Sequence, residues 1–336
     1  MICLSKLPAM GLGCYGQLRL PTPNFDELAT RAVVCERYYR SPSSPSLLNQ
    51  LSDLTPDRLL LHDSSLATHS PSWSADCVIE WECWPNRVAI DSGLQPEPSL
   101  GSAPGLVVLL PSIPEPSDES LEEVRLAWEP EFEDASSEET SGLLTADDRR
   151  LRQAALMLEW EKRLPAWLQV LGPHDNENEL RIITSLDGSL DADPEEHDDW
   201  VRSVCEPVVH LPLLLQHPAV PSGRLREFVT AESLLQLMRL CLSEESTDMA
   251  ATIQQWQNEL TDSSVQYDSP LAHAVRTENW LFIERRHPPE SAGEIADPAQ
   301  DEEEPEVRLY RKPEDVWESM DLASQYPDVL DSFASS

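Results

Sequence analysis

Cationic side chains are scarce in this chain: 24 lysines and arginines stand against 61 aspartates and glutamates, a net charge of −37 over 336 residues. A surface so acidic repels phosphate backbones and anionic lipid, so nucleic acid and membranes are excluded as expected partners. The plainest use of the charge is solubility. Long apolar runs are missing too. No segment approaches the ~18 uninterrupted apolar residues of a membrane span, and Met1–Pro8 has no basic stretch leading into an apolar run. The expectation is a cytoplasmic protein. The seven cysteines are odd in number and contain no C-x-x-C pair, which predicts reduced, mostly buried thiols rather than a disulfide framework or a zinc site. Histidine is absent between His69 and His174, the first acidic residue is Asp26, and no repeat of fixed period occurs.

What is present alternates between two kinds of segment. Cys77–Trp84, Leu106–Leu110, Leu180–Ser185 and Val208–Leu215 are short, aliphatic and bounded by Pro, Gly or Asp, the pattern of buried strands. Helical periodicity covers Asn24–Tyr39, Asp118–Trp128, Asp147–Leu171 and Ala231–Leu242, with Thr145 and Thr230 placed as N-caps and Pro165 expected to break its helix near Arg163. Strands alternating with helices imply an α/β sheet with helices on both faces. Beyond about Tyr267, Leu281–Arg285 and Val307–Lys312 read as antiparallel strands separated by the acidic, solvated segment Pro288–Glu306. The expected division is a main α/β domain over 1–262, with an acidic surface excursion at 112–141, and a small C-terminal α+β subdomain over 263–336. Met249–Leu260 carries Ile253, Trp256 and Leu260 on one stripe, fit either to dock a partner or to pack ordinarily, and the same choice applies to Trp81 and Trp84.

Several words stand in a fixed order along the chain. Leu12-Gly13-Cys14-Tyr15-Gly16 is followed by Thr22-Pro23-Asn24-Phe25-Asp26-Glu27-Leu28-Ala29 and by Ser43-Ser44-Pro45-Ser46-Leu47. Later come Leu180–Gly188, Val209–Pro218, Ala274–Trp280 and Leu309–Ala323. This series resembles the sulfatases of the alkaline phosphatase superfamily, whose words read LGCYG, TPNLDRLA, [CS]-x-P-x-R, TLVIVTSDHG, VRVPLIIRWPG, AVRTDRWK and LYDLEADPGETTNLA. The resemblance implies a central, mostly parallel sheet with helices on both faces plus a small C-terminal subdomain. It further implies sulfate-ester hydrolysis by a formylglycine beside a calcium-type cation held by oxygen ligands.

The positions that would carry that chemistry are altered. Where the resemblance places two adjacent metal-binding aspartates after the opening strand, the chain has Ser5 and Lys6. Ser43 falls at the Cys/Ser nucleophile, but the motif's arginine is Leu47, with Arg40 a conceivable substitute. The late metal pair reads Leu186-Asp187, which leaves Asp187 as a remnant carboxylate, and one carboxylate does not satisfy a calcium ion that takes six to eight oxygens. The middle histidine falls near Pro114-Glu115-Pro116, and no lysine or arginine follows the metal loop between Gly188 and Val201. The acidic run Asp191–Asp199 lacks the ligand order of an EF-hand and reads as a solvated loop.

The expectation is a catalytically inactive, sulfatase-like protein without cofactor, with a binding or regulatory role toward a protein partner. The alternative is an active sulfuric ester or phosphoester hydrolase with a site rebuilt around Ser43 and Asp187, using calcium. A third reading, an acidic partner that neutralises a basic protein, rests on charge and predicts steep salt dependence. Inactivity predicts that the old pocket is filled by Leu47, Leu186 and Pro114 or opened to the surface.

Overall fold

The computed structural model describes residues 1–43, 47, 50, 59–62, 106–109, 115–132, 146–171, 174–188, 198–243, 248–286 and 306–334. Seven strands form one sheet: β1 (Ile2–Leu4), β2 (Val33–Tyr39), β3 (Leu59–His62), β4 (Leu106–Leu109), β5 (Arg181–Ser185), β6 (Leu213–Gln216) and β7 (Gly223–Thr230). Their spatial order is β3-β4-β1-β5-β6-β2-β7, and β6 alone runs antiparallel to its neighbours. The helices are α1 (Pro23–Ala29), α2 (Asp118–Phe132), α3 (Ala146–Val170), α4 (Asp199–Arg202), α5 (Glu206–Val209), α6 (Ala231–Leu242), α7 (Met249–Glu259) and α8 (Pro327–Ala334). A second, antiparallel sheet has the order β11 (Val307–Arg311), β10 (Trp280–Arg285), β9 (Ala272–Thr277) and β8 (Ser264–Asp268).

The period-2 alternation of strand side chains divides the core. Cys3, Val33, Cys35, Ile182, Leu213 and Leu215 meet α6 and α7 on one face. Ile2, Leu4, Val34, Ile183 and Leu214 meet α1, α2 and α3 on the other. The result is an α/β/α sandwich with apolar strands buried on both faces, as parallel sheets require. Ile253 and Trp256 of α7 are each 1 % exposed and Trp256 Nε1 donates to Ser233 O, so that stripe packs ordinarily. A third cluster joins α4 and α5 to the second sheet through Trp200, Val204, Val209, Tyr267, Leu281 and Tyr310.

Several segments differ from the sequence reading. The helix expected over Asn24–Tyr39 stops at Ala29, and Val33–Tyr39 is strand β2, because VVCERYY is β-branched and aromatic and fits a half-covered pleat. The strand expected over Val208–Leu215 begins only at Leu213: Val208 and Val209 belong to α5, and His210 makes a single bridge to Tyr39. Pro165 does not break α3. The carbonyl it deprives of a donor is that of Glu161, four residues back, and Asn24 Nδ2 donates there at 3.1 Å. Within the excursion, α2 packs on α3 with Val124 buried, and the Glu159 carboxylate accepts from Ser117 Oγ (2.6 Å) and Ser120 Oγ (2.8 Å). Burial would raise Glu159, yet these donors hold it below its ordinary value. Cys77–Trp84, Pro114, Thr145 and most of Pro288–Glu306 lie outside the described residues.

Candidate active site

In open α/β sheets, functional groups gather beyond the carboxyl ends of the strands. Here β1 and β5 are parallel neighbours with Leu4 opposite Ser185, so their following residues, Ser5-Lys6 and Leu186-Asp187, come together as the order of words implied. Lys6 N donates to Asp187 Oδ1 at 2.9 Å, Leu186 N to Leu4 O at 2.7 Å, and Leu7 N to Asp187 O at 3.2 Å. Ser185 Oγ donates to Asp187 O at 2.6 Å, Gln153 Nε2 to Lys6 O at 2.8 Å and Trp160 Nε1 to Ser5 O at 3.1 Å. Lys6 has a left-handed backbone, φ 54. A turn of backbone hydrogen bonds closes these two strand ends, where the resemblance would put two metal-binding carboxylates.

Two cations, Lys6 and Arg40, and one carboxyl, Asp187, meet at this turn. Burial raises the Asp187 carboxyl above its ordinary value, against the Lys6 amide and the charges of Lys6 and Arg40. Arg40, at the end of β2, donates through Nη1 to Leu186 O, while its own amide donates to Val209 O at 3.0 Å. Leu47, which the resemblance sets against the motif's arginine, is fully buried in the core cluster that holds Tyr38 and Leu211, and Leu186 is packed against the same cluster.

Ser43 is exposed in the turn after β2, its amide donates to Asp268 O at 2.9 Å, and Ser41 Oγ holds the same stretch of β8. Among the described residues, no hydrogen bond joins Ser43 to Asp187. Nor do any three His, Cys, Asp or Glu side chains among them group as metal ligands. A calcium ion does not fit Ser5, Lys6, Leu186 and Asp187: three of the four lack a carboxylate, and the fourth is bonded to an amide beside two cations.

The words that survive hold backbone. Tyr15 is half-buried, its hydroxyl accepting from Leu213 N (2.8 Å) and facing the carbonyls of Cys35 (3.1 Å) and Leu213 (3.2 Å). A Cβ on Gly13 would lie 2.5 Å from an Asp26 carboxylate oxygen, and one on Gly188 would lie 2.0 Å from Pro207 O. The Glu161 carboxylate accepts from the amides of Asn24 and Phe25 at the start of α1. Cys14 is buried, which pushes its thiol up to about 12 and leaves it inert at neutral pH. All five described cysteines are free thiols.

A second polar cluster had no sequence signal beyond charged letters inside apolar words. Glu206 of α5 is buried between the two sheets. Its Oε1 accepts from Tyr39 Oη at 2.6 Å and faces His210 Nδ1 at 3.0 Å, while Oε2 lies 3.5 Å from Lys312 Nζ and 3.8 Å from Arg276 Nε. Burial would raise Glu206, but Lys312, His210 and Arg276 outweigh it and hold the carboxyl far below its ordinary value. Glu318 faces Lys312 and Glu206, and burial pushes it up to about 8. His210 is a satisfied structural residue, its Nε2 at 2.9 Å from Glu36 O and its ring stacked 4.8 Å from Tyr39.

No family model and no curated protein matches the sequence. The fold does match solved structures over nearly the whole chain. A protein from Bacteroides fragilis described as a sulfatase superposes with a TM-score of 0.59 at 12 % identity, covering 99 % of this chain and 92 % of its own. The phosphonate monoester hydrolase of Agrobacterium radiobacter gives 0.59 at 14 %, covering 99 % and 93 %. A 2-O GAG sulfatase gives 0.54 at 12 %, covering 99 % and 89 %. The fold is therefore one that solved sulfatases and a phosphonate monoester hydrolase share, and at these identities the likeness is one of fold alone.

Proposed function

We propose that this chain is a catalytically silent protein on a sulfatase-like fold, with a binding or regulatory role carried by protein contacts. The turn at the ends of β1 and β5 carries the reading. Hydrolysis of a sulfate or phosphate ester needs a hard cation or its equivalent at the developing negative charge, and a positioned nucleophile. In this chain the metal positions hold Ser5, Lys6 and Leu186, and the remaining Asp187 is bonded to the Lys6 amide. The motif's guanidinium position is a leucine buried in the core, and Ser43 is hydrogen-bonded through its amide to the second sheet. A fold does not carry its relatives' chemistry with it. A cytoplasmic location belongs to the same proposal, supported by the free thiols.

The test is the metal content of the purified protein together with turnover of a generic aryl sulfate and aryl phosphate, in wild type, Ser43→Ala and Asp187→Ala. The expected result is no bound divalent metal and no turnover sensitive to either substitution. Stoichiometric metal with activity lost in both variants would overturn the reading in favour of a rebuilt hydrolase.

A further inference from the structure

The turn from Lys312 to Leu322 is inside out. Surface turns ordinarily expose charge and bury apolar bulk. Here Lys312 and Glu318 are each 1 % exposed, whereas Val316, Trp317 and Met320 are 38 %, 61 % and 64 % exposed. Polar contacts within the turn impose this arrangement. Glu318 adopts a left-handed backbone, φ 53, and its carboxyl receives Lys312 Nζ. Lys312 Nζ donates again to Asp315 O at 2.7 Å and Val316 O at 3.4 Å, and the Asp315 carboxylate accepts from the amides of Ser319 (2.9 Å) and Met320 (3.0 Å). The apolar side chains thus stand outward on a turn fixed from within. In the sulfatase word LYDLEADPGETTNLA, the places of Val316, Trp317 and Met320 are Pro, Gly and Thr, so this chain adds apolar bulk at the surface. Trp and Met are the residue types enriched at the centres of protein interfaces, and a preset conformation lowers the ordering cost of binding.

Charge identifies the partner's chemistry. Glu314, Asp315, Asp321, Asp328 and Asp331 lie between Pro313 and Ser336, a stretch with no lysine or arginine. Arg311 and Arg308 of β11 reach Glu314 (3.9 Å) and Asp321 (3.6 Å), and the stretch as a whole keeps an acidic surplus over these two arginines. We propose that this turn docks a basic segment of a partner protein, which seats an apolar side chain against Trp317 and Met320. The inference deepens the binding reading above and rests on it. A second copy of this chain, or an anionic membrane, would bring negative charge against negative charge.

The experiment titrates the full-length protein by calorimetry with two synthetic peptides of equal charge, an amphipathic lysine–leucine peptide and oligolysine, and measures aryl sulfate turnover on the same preparations. Wild type is expected to bind the lysine–leucine peptide at least about tenfold more tightly. The pair Trp317→Ser and Met320→Ser should reduce it to the oligolysine level with an unchanged urea midpoint. Equal affinity for both peptides, or undiminished binding by the double variant, would overturn the docking surface. So would dimerisation or binding to phosphatidylserine vesicles that depends on Trp317 and Met320 without selective peptide binding. Turnover alongside selective peptide binding would overturn catalytic silence and leave the docking surface standing; neither turnover nor selectivity would do the reverse.

Discussion

Lys312→Met probes the buried cluster that joins the two sheets. Methionine nearly fills the lysine's volume, so the change isolates charge and hydrogen bonding. It removes donations to Glu318, Asp315 O and Val316 O, and the ammonium 3.5 Å from Glu206 Oε2. Glu206 then keeps Tyr39, His210 and the more distant Arg276. Removing one partner of a buried ion pair costs about 3–5 kcal/mol. The partners left to Glu206 place this case at the lower end, about 3 kcal/mol, a large share of the roughly 5–15 kcal/mol that holds a typical domain. In urea unfolding followed by tryptophan fluorescence, the midpoint should fall while the slope stays constant. Adding Glu318→Leu should restore most of the loss, because an apolar pair of similar volume replaces a carboxyl left without its cation. A single variant within about 0.5 kcal/mol of wild type, or a double variant no better than the single, would refute the assignment of stability to this cluster.

The same cluster sets a pH dependence. Glu318 is raised from an ordinary 4.5 to about 8, so the stability it contributes is complete below the ordinary value and is lost as pH rises through about 8. Glu206 is shifted the other way, and its contribution is complete above the ordinary carboxylate range. Urea midpoints of wild type should therefore decline from about pH 5 to about pH 8, and Glu318→Gln should flatten that decline; parallel curves would refute it. Gly188→Ala places a Cβ 2.0 Å from Pro207 O and 2.6 Å from Val208 O, main-chain atoms that no rotamer can clear. It should cost about 3 kcal/mol or more, read as a lowered melting temperature. Tyr15→Phe strands Leu213 N and removes the proton shared with Cys35 O and Leu213 O. A loss of about 2 kcal/mol is expected in the same assay.

The surviving words were legible because each performs a local backbone task. Gly13 makes room for Asp26, Thr22 Oγ1 accepts from Gly13 N at 2.8 Å, and Pro23 opens α1 where its missing N–H costs nothing. Short aliphatic runs bounded by breakers announced β4 and β5, and Thr230 announced the start of α6, where it forms a capping box with Ser233. The letters at Ser5, Lys6, Leu47 and Leu186 were equally legible, and it is the resemblance alone that reads them as replacements. By itself, then, the sequence determined the layered α/β plan.

The partners those residues took instead were settled in three dimensions. The backbone break at Ala29–Val33 turned a helical reading into strand β2, because pairing with β6 and β7 outweighs local periodicity. Pro165 stayed within α3 because Asn24, 137 residues from Glu161, supplies the missing donor. Glu206, Arg276 and the Lys312–Glu318 pair are far apart in the chain and each is an ordinary charged letter. Only the docking of the second sheet against α5 removes them from water, and that burial makes their charges strong enough to fix one arrangement and to hold Trp317 and Met320 outward.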